Sequence, residues 1–510
     1  MHSSIRRRTL ALSISLALVG TLASVRAGGP AKLNVNVPSA NPRVGHPDNV
    51  VMNGFGLQLV AQGSEPLENP SGSITDFGLL SDGTRTEPDQ NVYLEFPENP
   101  GGPTDGFDYG RRFLYQGHEN AGDLAYVTRI NMDVTDPEHH VTLLTPVGDD
   151  NLTHFNSVDG GTWDPFTRTL LFTQEVSGTG GAIEITPGWP PDVRTLYGIL
   201  GHAAYEGIHP DNRGSLLLVE DAGGVNSHVI PSDPTSANVA KQPNSFVYWF
   251  VPYDPTDLQA GGQLYALEVT VDGTPITFHP NDPVGDTFSD EQLKLHTPGT
   301  SWPAAWVLIH DTAAEGFEEF NANARAKALG ASPFKRPENA AFLPGSGFGT
   351  FFFCPTGDTD ARSGVQPALA ARGAWGSIFR VSFNGHGGTI SIAVLGDAVH
   401  SSFDNLTFAD SNTILATEDR GDMLHTQLNT LDSVWAFDGR GNSTNPRRLI
   451  ALGRDAVSET SGEDNEPTGL FVSEGSVRTT DVLGAHLKPQ QARWFVTEQH
   501  GKNQVWEIAH

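Results

Sequence analysis

Apolar residues in this chain come in short runs bounded by acids and turn residues. Residues 401–421, SSFDNLTFADSNTILATEDRG, show the unit. Asp404-Asn405 opens it, and a half-apolar segment runs from Leu406 to Phe408. Ala409 to Asn412 make a polar turn, and Thr413 to Ala416 lead to Glu418-Asp419. The pattern predicts two antiparallel strands joined by a turn. In such a hairpin the start of the first strand lies beside the end of the second. Asp404 and the Glu418-Asp419 pair are therefore expected at one end of the hairpin.

The same arrangement recurs. Residues 157–178 open on Asp159 and close on Glu175, and residues 203–223 open on Glu206 and close on Glu220-Asp221. Residues 335–358 open on Glu338 and close on Asp358, and residues 466–499 pair EPTGLFV with WFVTEQ across an insertion. Earlier, RFLYQGHEN closes on Glu119. An aromatic-containing strand follows each closing segment: AYVTRINMD, GAIEITPG, SFVYWFVPYD, GSIFRVSFNG, SVWAFDGRG and NQVWEIAH. Small repeated sheets cannot bury both faces alone, so neighbours must stack. Radial stacking gives an all-β fold, a six-bladed β-propeller with the acids around one end of its channel.

The remaining segments read as additions to that ring. Residues 62–108 show little periodicity and are expected as surface loops, with one strand before them near Phe55–Ala61. Residues 232–244 read as a loop within the third repeat, 272–300 as turns, 359–374 as a polar insertion and 439–465 as a long loop. Gly262–Thr270 reads as a strand that begins a further sheet. One inserted helix is predicted over Thr312–Leu329, Ala-rich, with Glu early, Arg and Lys late, and Gly330 as its stop.

Composition narrows the class. The 510 residues carry a formal charge of −29, which sets aside nucleic acid as a partner. It suits an exported acidic protein or one holding several multivalent cations. Residues 1–27 read as a signal peptide: Arg6, Arg7 and Arg8, an apolar stretch from Leu10 to Leu22, and a small-residue site at Val25-Arg26-Ala27. The Arg-Arg pair also fits a twin-arginine signal. Secretion or a periplasmic location is expected, with residues 28–510 as one propeller domain, a monomer with no membrane span. Cys354 is the only cysteine, so no intramolecular disulfide exists.

Two constellations carry chemistry. The first is the carboxylate set Glu119, Glu175, Glu206, Glu220, Asp221, Glu338, Asp404, Glu418 and Asp419. A hard cation such as Ca²⁺ takes about six to eight oxygen ligands, and acids converging from several blades can supply them. Single strand-end acids are also ordinary turn formers; recurrence in register favours the cage. The second is Arg336-Pro337-Glu338-Asn339, where a bidentate anion clamp sits two residues from a candidate metal ligand. Arg336 and Glu338 are the catalytic candidates.

These residues resemble the PhoX-type secreted alkaline phosphatases. Gly117-His118-Glu119-Asn120 is similar to the family's GHE/NHE turn. Gly161-Thr162-Trp163 with Leu171 to Glu175 is similar to GTWLTCEE. Tyr197-Gly198, Tyr205-Glu206, Leu217 to Asp221 and Phe246 to Val251 follow the family's next elements in order. Arg336 to Asn339 resembles RPED, and Phe403-Asp404-Asn405-Leu406 resembles PDNL. The resemblance covers roughly residues 50–510 and implies a six-bladed propeller whose channel holds calcium ions and an iron pair and hydrolyses phosphate monoesters. It implies Glu119, Glu175, Glu206, Asp221 and Glu338 as metal ligands, with Arg336 on the phosphate of a small-molecule ester. The family's iron-ligating Cys falls at Gln174, a poor iron ligand, while its Arg and His fall at Ile199 and Tyr205. Ca²⁺ is therefore the expected cofactor, with Gln174 set against iron. A calcium-dependent hydrolase of another ester or lactone, and a non-catalytic calcium-stabilised binding propeller, are the alternatives.

Overall fold

The computed structural model describes residues 33, 37, 49–145, 150, 152–439, 445–461, 463, 465–478 and 492–510. The signal segment expected over 1–27 lies outside them. The described strands build six antiparallel blades around a channel. Blade I runs Glu87–Glu95, Arg112–Glu119, Tyr126–Asn131, Val141–Leu143; blade II runs Val158–Asp164, Thr169–Gln174, Gly181–Ile185, Val193–Thr195. Blade III runs Tyr205–Pro210, Leu216–Glu220, Val247–Pro252, Gly262–Val271; blade IV runs Pro337–Phe342, Thr350–Pro355, Ser377–Asn384, Gly387–Leu395. Blade V runs Phe403–Asp410, Thr413–Glu418, Ser433–Asp438, Arg447–Ala451, with Val50–Val51 on its edge. Blade VI takes Pro467–Ser473, Arg493–Glu498 and Val505–Ala509, and its outermost strand is Gly56–Ala61 from the other end of the chain. That pairing closes the ring. Consecutive first strands touch all the way round, from I to VI and back to I.

Alternation along these strands explains the packing. In Val247–Pro252, Tyr248 and Phe250 are buried against Tyr205, Leu216 and Leu218. Val247 packs on the opposite side with Leu217, Val219 and Phe353. Trp163, Trp435 and Trp494 are buried between sheets, as expected of blade packing. Blades III and IV are also joined at the rim: Trp302–Asp311 pairs with Gly262–Val271 on one side and Gly387–Leu395 on the other.

One device repeats in all six blades. Where the first strand enters, it carries one extra residue relative to the second strand. The shift falls between Pro88 and Asn91, and between Val158 and Gly161. It falls between Tyr205 and Ile208, and between Pro337 and Asn339. It recurs between Phe403 and Leu406, and between Thr468 and Phe471. A bulge bends the strand and re-aims side chains. In blade II the bulge needs Gly160: a β-carbon there would lie 1.6 Å from the Glu206 carbonyl oxygen of the next blade.

Several sequence expectations change. Residues 62–108 are not only loops, because Glu87–Glu95 is the first strand of blade I; its Glu-Pro-Asp opening hid the period. The predicted helix 312–329 is two short ones, Thr312–Glu315 and Ala322–Ala328. Gly316, at φ 85°, ends the first, and backbone pairing of Ala322 with His202 interrupts the run. Gly262–Val271 completes blade III rather than starting a sheet. The loop over 232–244 contains Asn238–Lys241, paired with Asn226–His228. Residues 272–300 hold helices Pro283–Phe288 and Asp290–Leu295, and the insertion over 359–374 holds helices Ala361–Gly364 and Pro367–Ala370. Residues 439–465 include the strand Arg447–Ala451. No helix among the described residues is long and apolar enough to cross a membrane.

Candidate metal centre

The bulges place a tier of six residues at the channel mouth, one from each first strand: Asp89, Asp159, Glu206, Glu338, Asp404 and Thr468. The residues that end or follow each second strand form a second tier: Glu119, Glu175, Asp221, Thr356, Asp419 and Gln499. Beneath them Asn339 Nδ2 of blade IV donates to Gln90 Oε1 of blade I at 3.2 Å. Those blades stand opposite each other, so an amide bridge floors the acidic chamber.

Carboxylate oxygens converge in three adjoining groups. Asp89, Glu119 and Asp159 form the first, Asp159, Glu175 and Glu206 the second, and Glu206, Asp221 and Glu338 the third; within each, the oxygens lie within 4.8 Å of one another. Each group joins both tiers of one blade to the first tier of the next. Asp159 and Glu206 each serve two groups.

So many acids in a buried space resist ionisation. Burial, with repulsion from other acids, pushes Glu175 up to about 8. Burial dominates at Asp89, raised to about 6. Glu119, Asp159, Glu206, Glu338 and Asp404 are all raised well above the usual carboxylate range, by burial first and by neighbouring acids second. Buried Asp221 leaves Oδ1 without a hydrogen-bond partner. Hard oxygen donors, shared ligands and an orphaned carboxylate oxygen fit a set of calcium-like cations.

Arg336 is the guanidinium facing this set. It adopts φ 59°, a left-handed conformation uncommon outside glycine. Its Nε donates to Asp221 Oδ2 at 2.7 Å, and its Nη2 lies 3.4 Å from Glu338 Oε1. Burial opposes its charge, but Asp221 and Glu338 more than offset that.

The expected residues divide clearly. Glu119, Glu175, Glu206, Asp221, Glu338 and Arg336 meet at the mouth. Asp404 joins the ring, where Asp89 and Asp419 act on it, but belongs to none of the three groups. Glu220 does not reach the channel. It accepts from Tyr248 Oη at 2.8 Å, Asn323 Nδ2 at 2.9 Å and Phe246 N at 3.2 Å. Glu418 also turns away, accepting from Arg420 Nη2 at 2.8 Å and Ser401 N at 3.0 Å. Neighbours on a strand face opposite sides, so only the second acid of each closing doublet points into the channel. Asp89 and Asp159 were not among the expected ligands. Asp159 occupies the same opening position as Glu206 and Glu338, and that was the available signal.

Gln174 stands where the resemblance places a cysteine. Its amide nitrogen donates to Tyr197 Oη at 2.6 Å. Cys354 is buried, with Sγ donating to the Asp404 carbonyl at 2.7 Å. Among the described residues no thiolate faces the channel, so the donor set is oxygen alone and does not fit the thiolate-ligated iron of the resemblance.

No protein-family model matches the chain, and a search of curated proteins finds no relative. Among solved structures, Pseudomonas fluorescens PhoX in complex with vanadate, a transition state analogue, is similar at 13% identity, covering 93% of this chain and 97% of that one, with a TM-score of 0.55. A Trichoderma reesei carbohydrate-active enzyme of family AA12 matches at 10% identity, 92% and 99% coverage and a TM-score of 0.31. A putative 6-phosphogluconolactonase from Bacteroides uniformis matches at 9% identity, 77% and 92% coverage and 0.31. Only the first likeness is close enough to bear on architecture, and it gives this chain the propeller fold of PhoX.

Proposed function

We propose that this chain is an exported metal-dependent phosphoesterase, related to the PhoX-type alkaline phosphatases, that hydrolyses small phosphate monoesters at the channel mouth. The observation that carries the reading is the row of three carboxylate groups ending beside Arg336. Calcium-like cations bound there would supply Lewis-acid charge to the phosphate oxygens. The chain's own residues do the rest. Asp159 and Glu206 tie neighbouring groups together. Asp221 and Glu338 orient the Arg336 guanidinium, whose planar fork matches a phosphate and the charge that grows on it during transfer. The Gln90–Asn339 bridge ties blades I and IV together across the channel beneath the acids.

Measuring metal content by elemental analysis and turnover of p-nitrophenyl phosphate tests this. Calcium at more than one equivalent, with turnover abolished by a chelator and restored by Ca²⁺, is expected. A calcium-loaded protein that turns over neither this ester nor a lactone would instead be a calcium-stabilised binding propeller. The tethered amide of Gln174, in place of a metal-ligating thiolate, favours that second reading.

A further inference from the structure

Beside the acidic mouth lies a second cation that the reading above does not use. Lys241 ends the hairpin Asn226–His228/Asn238–Lys241, which is inserted into blade III. Asp358, from blade IV, anchors it. The Lys241 backbone N–H donates to Asp358 Oδ1 at 3.2 Å, and the same oxygen accepts from Lys335 Nζ at 2.8 Å. Ser363 Oγ holds the other oxygen. Asp358 thus takes up the charge of Lys335, while Lys241 makes no ion pair among the described residues. The Lys241 Nζ donates to the neutral Thr359 Oγ1 at 3.1 Å, and an ammonium has three protons to give.

The anchoring segment is strained as well. Thr359 sits at φ 52°, where a β-branched residue is a genuine outlier. Arg336, at φ 59°, is held in the same uncommon region. Such conformations persist where the surroundings impose them, and they gather at ligand-binding sites. Two strained residues therefore present two cations at the junction of blades III and IV.

Resting on the phosphoesterase reading, we infer that Lys241 is a substrate-binding residue that shares the phosphate group with Arg336, so that the scissile phosphate seats at the blade III–IV junction. Two cations brought together under partial burial repel each other, and an anion between them removes that cost. Burial, and then the charge of Arg336, pushes the Lys241 ammonium down to about 8. The insertion that delivers Lys241 would thus read the substrate's negative charge together with Arg336, beside Asp221 and Glu338.

The test uses the full calcium-loaded chain and three variants, Lys241→Ala, Lys241→Gln and Lys241→Arg. The readouts are KM and kcat for p-nitrophenyl phosphate, the inhibition constant of inorganic phosphate and calcium content. Loss of one charge-assisted contact raises KM and the phosphate inhibition constant by about tenfold to a hundredfold in the Ala and Gln variants. The expected effect on kcat is smaller, calcium content stays unchanged, and the Arg variant recovers most of the loss. Unaltered KM and phosphate inhibition in folded, calcium-loaded Lys241→Gln would overturn the assignment and leave the phosphoesterase reading standing. A wild-type chain that neither turns over the ester nor binds inorganic phosphate would overturn both.

Discussion

Blades I to IV and blades V to VI share one backbone design at the channel mouth and fill it differently. Both halves have the bulge, and both place one residue from each of two strands over the channel. In the first half every one of these residues but Thr356 is an acid, the acids face one another in three groups, and Asp221 is left with an orphaned oxygen. In the second half Thr468 and Gln499 stand in place of two acids, and Asp404 of blade V is met by donors. Asn405 Nδ2 donates to Asp404 Oδ1 at 2.9 Å and Thr417 Oγ1 to Oδ2 at 3.3 Å. Gln499 Nε2 donates to Glu119 at 2.9 Å and Asp89 at 3.3 Å. Blade IV stands between the two patterns, because its Thr356 donates to Glu338. Hydrogen bonds from the protein meet part of a buried carboxylate's charge, and where carboxylate oxygens also face one another a cation meets the rest. The scaffold supplies six equivalent positions, and residue choice decides which of them become cation sites.

The comparison is broken most severely at Glu206, which serves two groups. Glu206→Ala should cost roughly a thousandfold or more in turnover, with at least one calcium equivalent lost by elemental analysis. Asp404→Asn, in the satisfied half, should leave calcium content unchanged. Arg336→Ala should lower kcat/KM by about a hundredfold to a thousandfold at constant calcium content; normal turnover in that variant would remove Arg336 from the site.

Acidity sharpens the same contrast. Glu119, Asp159, Glu206, Glu338 and Asp404 are raised above their unfolded values, as are Asp89, to about 6, and Glu175, to about 8. Their protonated forms are favoured in the fold, so this contribution to stability is fully present below the unfolded values near 4 and is lost as pH rises through about 8. Metal-free protein should melt at progressively lower temperature from pH 5 to pH 8.5. With calcium the trend should reverse, because the ligands must lose their protons to bind. Melting curves at several pH values, with and without calcium, decide it. The smallest effect belongs to Glu220→Gln, which should destabilise the fold by about 1–3 kcal/mol through its buried hydrogen bonds and leave calcium content alone. Asp221→Asn should do the opposite.

How far these details were legible in the chain depended on period. Strands such as TILATE and VYWFVP announce themselves by alternation and β-branched or aromatic residues, and five of the six hairpins follow from that. The closing acids mark the rim for the same reason. What alternation cannot supply is parity across a bulge. Glu220-Asp221 and Glu418-Asp419 read as equal candidates, and only the register shows that Asp221 and Asp419 face inward. The strand 87–95 was hidden because its opening Glu-Pro-Asp looks like a turn, and Asp89 was lost with it. The helix over 312–329 followed composition, whereas a phi-positive Gly316 and pairing to His202 decided the outcome.

The seam between Gly56–Ala61 and Val505–Ala509 carries a consequence for assembly. Blade VI cannot be completed until segments from the two ends of the described chain find each other, a contact of the greatest sequence separation in the fold and slow to form for that reason. The acids of blade I also meet blade VI through Gln499, so the first carboxylate group is completed only when the ends of the ring come together. Cation loading would then act as a clasp, rewarding the finished circle over any half-built arc.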